Sequence, residues 1–127
     1  MKMRRLLQQL FRDTKGHAAI EFAVCGGALM AVLFGSVNVS LMGYSSMSLH
    51  NAVEAAARCR SISTACPDAG STQTYATAQF YNLSGQTAAF VVDVAACGNR
   101  VRGTLNYPMN WVIGSSTVPL TAAACFP

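Results

Sequence analysis

The stretch "RDTKGHAAIEFAVCGGALMAVLFGSVNVSLM", residues 12–42, holds the decision about the fold, because it passes from a basic leader into a long apolar run with one acid, Glu21, at the junction. Phe22 to Met42 is 21 residues without a charge. As a helix rising about 1.5 Å per residue it covers about 30 Å, the depth of a bilayer's hydrocarbon core. Basic residues lie only on its N-terminal side, so the charge bias predicts a cytoplasmic N-terminus and a single pass, with Ser36, Asn38 and Ser40 marking the outer end.

Charge placement narrows the function classes. Lys2, Arg4, Arg5, Arg12 and Lys15 against Asp13 give the first sixteen residues the whole net charge of +4. Beyond them, Arg58, Arg60, Arg100 and Arg102 balance Glu21, Glu54, Asp68 and Asp93. A nucleic-acid site needs a basic face on the folded part, and this chain's basicity is confined to the leader, so no nucleic-acid partner is expected. With 11% charged and 52% hydrophobic residues, the composition fits a membrane-associated or secreted chain.

Three readings compete for the leader and apolar run. A secretory signal peptide has a shorter apolar core and no acid in it. A plain anchor explains length and orientation but leaves Glu21 at a cost of about 2.5–3.5 kcal/mol if it lay at the bilayer centre, less near an end. The third reading starts from the spacing: Gly16 ends the leader and Glu21 is the fifth residue after it, followed by the aromatic Phe22.

This arrangement resembles the class III signal of type IV pilins and pseudopilins, and "GHAAIEFA" is most similar to the TadE-like minor pilins of tight-adherence (Flp-type) pili. The resemblance implies cleavage by a prepilin peptidase between Gly16 and His17, with residues 1–16 removed. It also implies an assembly role for Glu21 and Phe22, in which the glutamate pairs with the terminal ammonium of a neighbouring subunit, so that two charges costly alone in lipid become tolerable together. Other pilin subunits and the assembly platform are the implied partners. The implied location is the bacterial inner membrane with a periplasmic C-terminal domain, and the implied function is structural, in pilus assembly and adhesion. Related alternatives are a pseudopilin of a type II secretion or competence system, and an anchored or secreted ligand-binding domain.

Small residues recur at every fourth place, Ala23, Gly27, Ala31 and Gly35, which suits close approach of helices in lipid. After a transmembrane helix over 17–43, Met42, Leu49, Val53 and Ala56 recur on one side, predicting an amphipathic continuation over 44–66, with Glu54 placed to pair with Arg58. One helix from about Ala18 to Arg60 is expected, ended by the breaker cluster "CPDAG" at Cys66–Gly70.

The segment 67–127 reads as an α+β domain. A short helix is expected in "TQTYATAQFYNL", and "AAFVVDVAACGNRVRGTLNYP" reads as a hairpin turning at Gly98-Asn99. That turn pairs Phe90 with Tyr107, Val92 with Leu105 and Val94 with Gly103 on an apolar face, and Asp93 with Thr104 on a polar one. A last strand puts Val118, Leu120, Ala122, Ala124 and Phe126 inward, with Pro119 making it an edge. The expected architecture is pilin-like: a small antiparallel-rich sheet packed on the outer half of the long helix and stapled by disulfides.

Cys25 falls in the apolar run, whereas Cys59, Cys66, Cys97 and Cys125 lie on the outer side and allow three connectivities. Strand parity puts Cys97 and Cys125 on polar faces near the turn end, favouring that pair and leaving Cys59 with Cys66. A four-cysteine zinc site is the rival, but the usual close Cys pairs are absent. In a simple meander the first and third strands stand too far apart for a bridge, so the pairing suggests that the last strand lies beside the first or that the sheet end is pinched. No acid pair, nucleophile motif, phosphate loop or metal-spaced cluster appears, and His50 reads as an exposed helix residue, so no enzyme and no cofactor are expected.

Overall fold

A computed structural model describes residues 16–111 and 114–127. The leader before Gly16 lies outside the described residues. Five elements follow one another: helix α1 (His17–Ile62), helix α2 (Ala69–Gln79), and strands β1 (Ala89–Ala95), β2 (Gly98–Trp111) and β3 (Gly114–Phe126). The chain divides into two compact units, Met1–Ser36 and Val37–Pro127, and α1 contributes to both.

In the first unit α1 is apolar and almost entirely exposed: Phe22, Val24, Leu29, Met30, Val32, Leu33 and Phe34 all present most of their surface. An 18-residue window of the helix has mean hydropathy 1.9 and no part of it is buried. By length and composition the helix is able to cross a membrane.

The second unit is α+β. Its core forms where Leu49, Ala52, Val53, Ala56 and Ala57 of α1 meet Phe90, Val101, Leu105, Tyr107, Met109 and Ala122 of the sheet. Leu41, Met42, Tyr75 and Phe80 complete the margin. The expected stripe of Leu49, Val53 and Ala56 is buried, and the three alanines keep that helix face thin enough for close packing.

The sheet is an antiparallel meander in the order β1-β2-β3. Tyr107 and Leu105 face inward as their parity requires, as do Val118, Leu120 and Ala122 of the edge strand β3. The turn, however, is Ala96-Cys97, not Gly98-Asn99, because Ala95 pairs with Gly98. Every β1 residue therefore meets a β2 residue four places earlier than the sequence reading had it: Phe90 faces Gly103, Val92 faces Val101 and Val94 faces Asn99. A shift of four leaves each side chain on its own face, so the hydrophobic pattern is blind to it. The observed register is favoured by contacts the pattern does not carry. Asp93 comes opposite Arg100, and Gly98, at φ +114°, sits where a Cβ would strike the backbone at Phe126 and Pro127.

Two prolines sit within this sheet, Pro108 opposite Thr117 and Pro119 opposite Asn106. The two rows are two apart and so of the same kind in the alternating antiparallel ladder. Pro108 lies beyond Thr104, the last β2 residue paired with β1, and Pro119 lies on the edge strand β3, so each sits where its strand has an open side and a missing N–H is tolerated.

Helix α1 ends at Ile62, before the "CPDAG" cluster, with Ser63 N–H donating to the Cys59 carbonyl at 3.0 Å. Helix α2 begins three residues earlier than the sequence reading placed it and stops at Gln79. Asp68 is its N-cap: its carboxylate accepts from Ser71 N–H at 2.7 Å while Ser71 Oγ accepts from Asp68 N–H at 3.2 Å. Phe80 ends the helix and meets Phe90 edge-on at 6.2 Å between ring centroids.

Candidate functional site

The residues singled out at the junction fall at the start of α1. Gly16 is half-exposed, and a Cβ there would meet nothing within 4 Å, so the backbone beside it is open on that side. His17 is the first residue of the helix, and Glu21 and Phe22 are exposed one turn later, with Phe22 at 81%. Ala23, Gly27 and Ala31 are likewise exposed and Gly35 is half-buried; a Cβ at either glycine would have open space. The chain thus offers an uncovered helix carrying one carboxylate, a surface suited to other helices or to lipid. Cys25 is a free, exposed thiol on it.

The far end of the second unit is built around two disulfides. Cys59 joins Cys66 with Cα atoms 5.7 Å apart, holding the end of α1 to the chain that leads into α2. Arg60 Nη1 donates to the Cys66 carbonyl across the same loop at 3.3 Å. Cys97 joins Cys125 at 6.0 Å. The paired cysteines are those chosen by strand parity, but β3 does not lie beside β1. Cys97 belongs to the turn rather than to β1, and a turn residue at the end of the central strand can reach over it to the neighbouring strand.

Around that end the polar groups are tied together. Asp93 accepts from Arg100 Nε at 2.8 Å and Nη2 at 2.6 Å, and from Arg102 Nη2 at 3.0 Å. The fork of hydrogen bonds from Arg100, helped by the charges of both arginines and opposed by partial desolvation, holds the Asp93 carboxyl below its ordinary value of 3.8. The same contact raises Arg100. Asp68 is also lowered, first by the Ser71 backbone N–H and then by the Ser71 hydroxyl.

Ser61 Oγ donates to the Phe126 carbonyl at 3.0 Å and accepts from Asn99 Nδ2 at 3.1 Å, binding the end of α1 to both β2 and β3. Arg58 does not pair with Glu54 as the spacing predicted; its guanidinium lies over the Phe126 ring, 5.7 Å from the centroid. A groove of about 470 Å³ opens beside Glu54, Arg58, Ile62 and Tyr75. Among the described residues no three of His, Cys, Asp and Glu converge in a way that could hold a metal. His50 is exposed on α1.

Sequence reasoning missed the tie between Asp93 and the two arginines, since it placed Thr104 opposite the acid. The signal was present as a single acid flanking a turn with two arginines spaced by two, but it becomes decisive only once the turn position is known.

No curated protein and no solved structure matches the chain. Residues 16–58, from the junction glycine through the end of the buried helical stripe, match the family model described as TadE-like protein, so over that stretch the chain is similar to the TadE-like family.

Proposed function

We propose that the chain is a structural minor pilin or pseudopilin of a tight-adherence pilus, cut by a prepilin peptidase between Gly16 and His17. The observation that carries this reading is the match of residues 16–58 to the TadE-like family on the very stretch that joins Gly16, Glu21 and the exposed apolar helix. Before assembly the helix holds the protein in the inner membrane, N-terminus in the cytoplasm, with the disulfide-bonded unit on the periplasmic side. Cleavage makes His17 a terminal ammonium, and Glu21 pairs with that group on a neighbouring subunit. The row Ala23, Gly27, Ala31 and Gly35 lets neighbouring helices approach. The role is architectural, in pilus assembly and adhesion, rather than catalytic.

N-terminal sequencing of the protein from membranes with and without prepilin peptidase tests the reading. His17 as a peptidase-dependent terminus is the expected result, and an uncut chain or a terminus elsewhere overturns it. Glu21→Ala is expected to insert normally and to lose assembly; wild-type piliation in that variant sinks the pairing role.

A further inference from the structure

Within residues 37–127 every charged side chain but one is tied to a neighbour. Asp93 is held by Arg100 and Arg102, and Asp68 caps α2. Arg60 donates to the Cys66 carbonyl, and Arg58 lies over the Phe126 ring. Glu54 is left, with no hydrogen bond or ion pair among the described residues. A glutamate and an arginine four places apart pair readily on an isolated helix. Here Phe126 takes the guanidinium instead, so the Glu54 carboxylate stands at the groove of about 470 Å³ without its helical partner.

One wall of that groove is a stripe of α1, in which Asn51, Ala55 and Ile62 follow one another at helical spacing with Glu54 and Arg58 beside them. From Asn51 to Ile62 the stripe covers about 16 Å, or about three turns. Tyr75 of α2 and the turn that follows α1 form the other wall. Ile62 is 76% exposed and Tyr75 half-buried, so apolar surface faces solvent from both sides. The Cys59–Cys66 bridge and the bond from Arg60 to the Cys66 carbonyl fix the chain where it passes from one wall to the other. The groove is therefore formed before anything enters it, which lowers the ordering cost of binding.

We propose that this groove docks a helical segment of another protein that carries an arginine or lysine beside apolar side chains. The cation rests on Glu54 and the apolar side chains lie among Ala55, Ile62 and Tyr75, the arrangement in which an amphipathic helix fills a groove of matching length. Charge selects this occupant. A phosphate, whether of lipid or of nucleic acid, meets Glu54 as a like charge. A second copy brings no free guanidinium from this unit, since all four of its arginines are engaged, whereas a foreign basic side chain supplies the missing partner and leaves each internal tie in place. A small cation alone would leave both apolar walls uncovered. The inference concerns residues 51–75 and is independent of cleavage at Gly16.

The test uses the full chain in nanodiscs of phosphatidylcholine, with empty nanodiscs as the blank, and reads the fluorescence anisotropy of labelled peptides. The first probe is an alanine-rich helix with leucines and one arginine on a single face. The second has glutamate in place of the arginine, and the third has serines in place of the leucines. Saturable binding of the first probe and severalfold weaker binding of the other two are expected. Glu54→Gln is expected to weaken the first probe about tenfold, the loss that follows from removing a charged hydrogen-bond partner. Ile62→Ser should weaken it severalfold, and Asp68→Asn should leave it unchanged. All three positions are exposed, so the variants keep the fold. Absence of saturable binding, or equal affinity for wild type and Glu54→Gln, overturns the proposal. An equal loss in Asp68→Asn shows general attraction to an acidic surface and also overturns it. A dimer in sedimentation velocity that Glu54→Gln abolishes puts a second copy in the groove and overturns the choice of a foreign partner.

Discussion

Gly103 of β2 lies directly against Leu49 of α1: a Cβ in place of its hydrogen would stand 2.8 Å from Leu49 Cδ1, and 3.0 Å from both Phe90 Cε1 and Val53 Cγ1. The helix and sheet approach this closely because the strand has no side chain there. Gly103→Ala is expected to overpack the core at a cost of about 1–3 kcal/mol. Leu49→Ala, which empties a fully buried site, is expected to cost about 2–5 kcal/mol. Thermal and denaturant unfolding of the two variants and their double mutant checks the contact. The double mutant should lose less than the two single losses added, since the new methyl enters space the leucine vacates.

The two disulfides close loops of different length, with sequence separations of 28 for Cys97–Cys125 and 7 for Cys59–Cys66. On chain entropy alone the longer loop contributes about 3.6 kcal/mol and the shorter about 2.4 kcal/mol. Replacing Cys97 and Cys125 together by Ser is therefore expected to lower the unfolding midpoint more than replacing Cys59 and Cys66. Non-reducing peptide mapping should recover both bridges from the wild type, with Cys25 alkylated.

Acid should weaken the turn end of the sheet. The Asp93 carboxyl is held below its ordinary value of 3.8, so its contribution is fully present above that value and is lost as pH falls through the lower folded one. Asp93→Asn is expected to reduce stability at neutral pH and to flatten its decline below pH 4. Unfolding midpoints from pH 7 to pH 2 give the two curves; parallel curves would show that Asp93 does not carry this acid response.

Asp68 contributes at the start of α2. Asp68→Ala is expected to lower stability and Asp68→Asn to retain most of it, because an amide oxygen can still accept from Ser71 N–H. Hydrogen exchange at Ser71 and Thr72 reads the cap locally. Unchanged protection there in Asp68→Ala would show that the first turn holds without it.

Much of this was legible in the order of residues. The charge-free run after Glu21 shows a helix able to cross a membrane, and Met42, Leu49, Val53 and Ala56 show which side of its continuation is buried, because a helix repeats every 3.6 residues. The alternation in β2 and β3 likewise sorted their faces. The resemblance of the junction to TadE-like proteins rests on the Gly16-to-Glu21 spacing set between a basic leader and a membrane-length apolar run, and the family match takes in that junction from Gly16 onward.

The hairpin register was not legible, for a physical reason. Side chains alternate with period two, so pairing Phe90 with Tyr107 or with Gly103 satisfies the hydrophobic pattern equally. The distinction lies in contacts between distant parts of the chain: Asp93 with Arg100, the helix against Gly103, the C-terminal backbone against Gly98. The same holds for the bridge between Cys97 and Cys125. Parity identified its partners, but only the placement of Cys97 in the turn explains how a simple meander brings them within 6.0 Å. Local periodicity thus determined which surfaces are apolar and where the chain can enter a membrane. Registry and closure, which depend on how three strands and a helix fit in space, had to come from the fold.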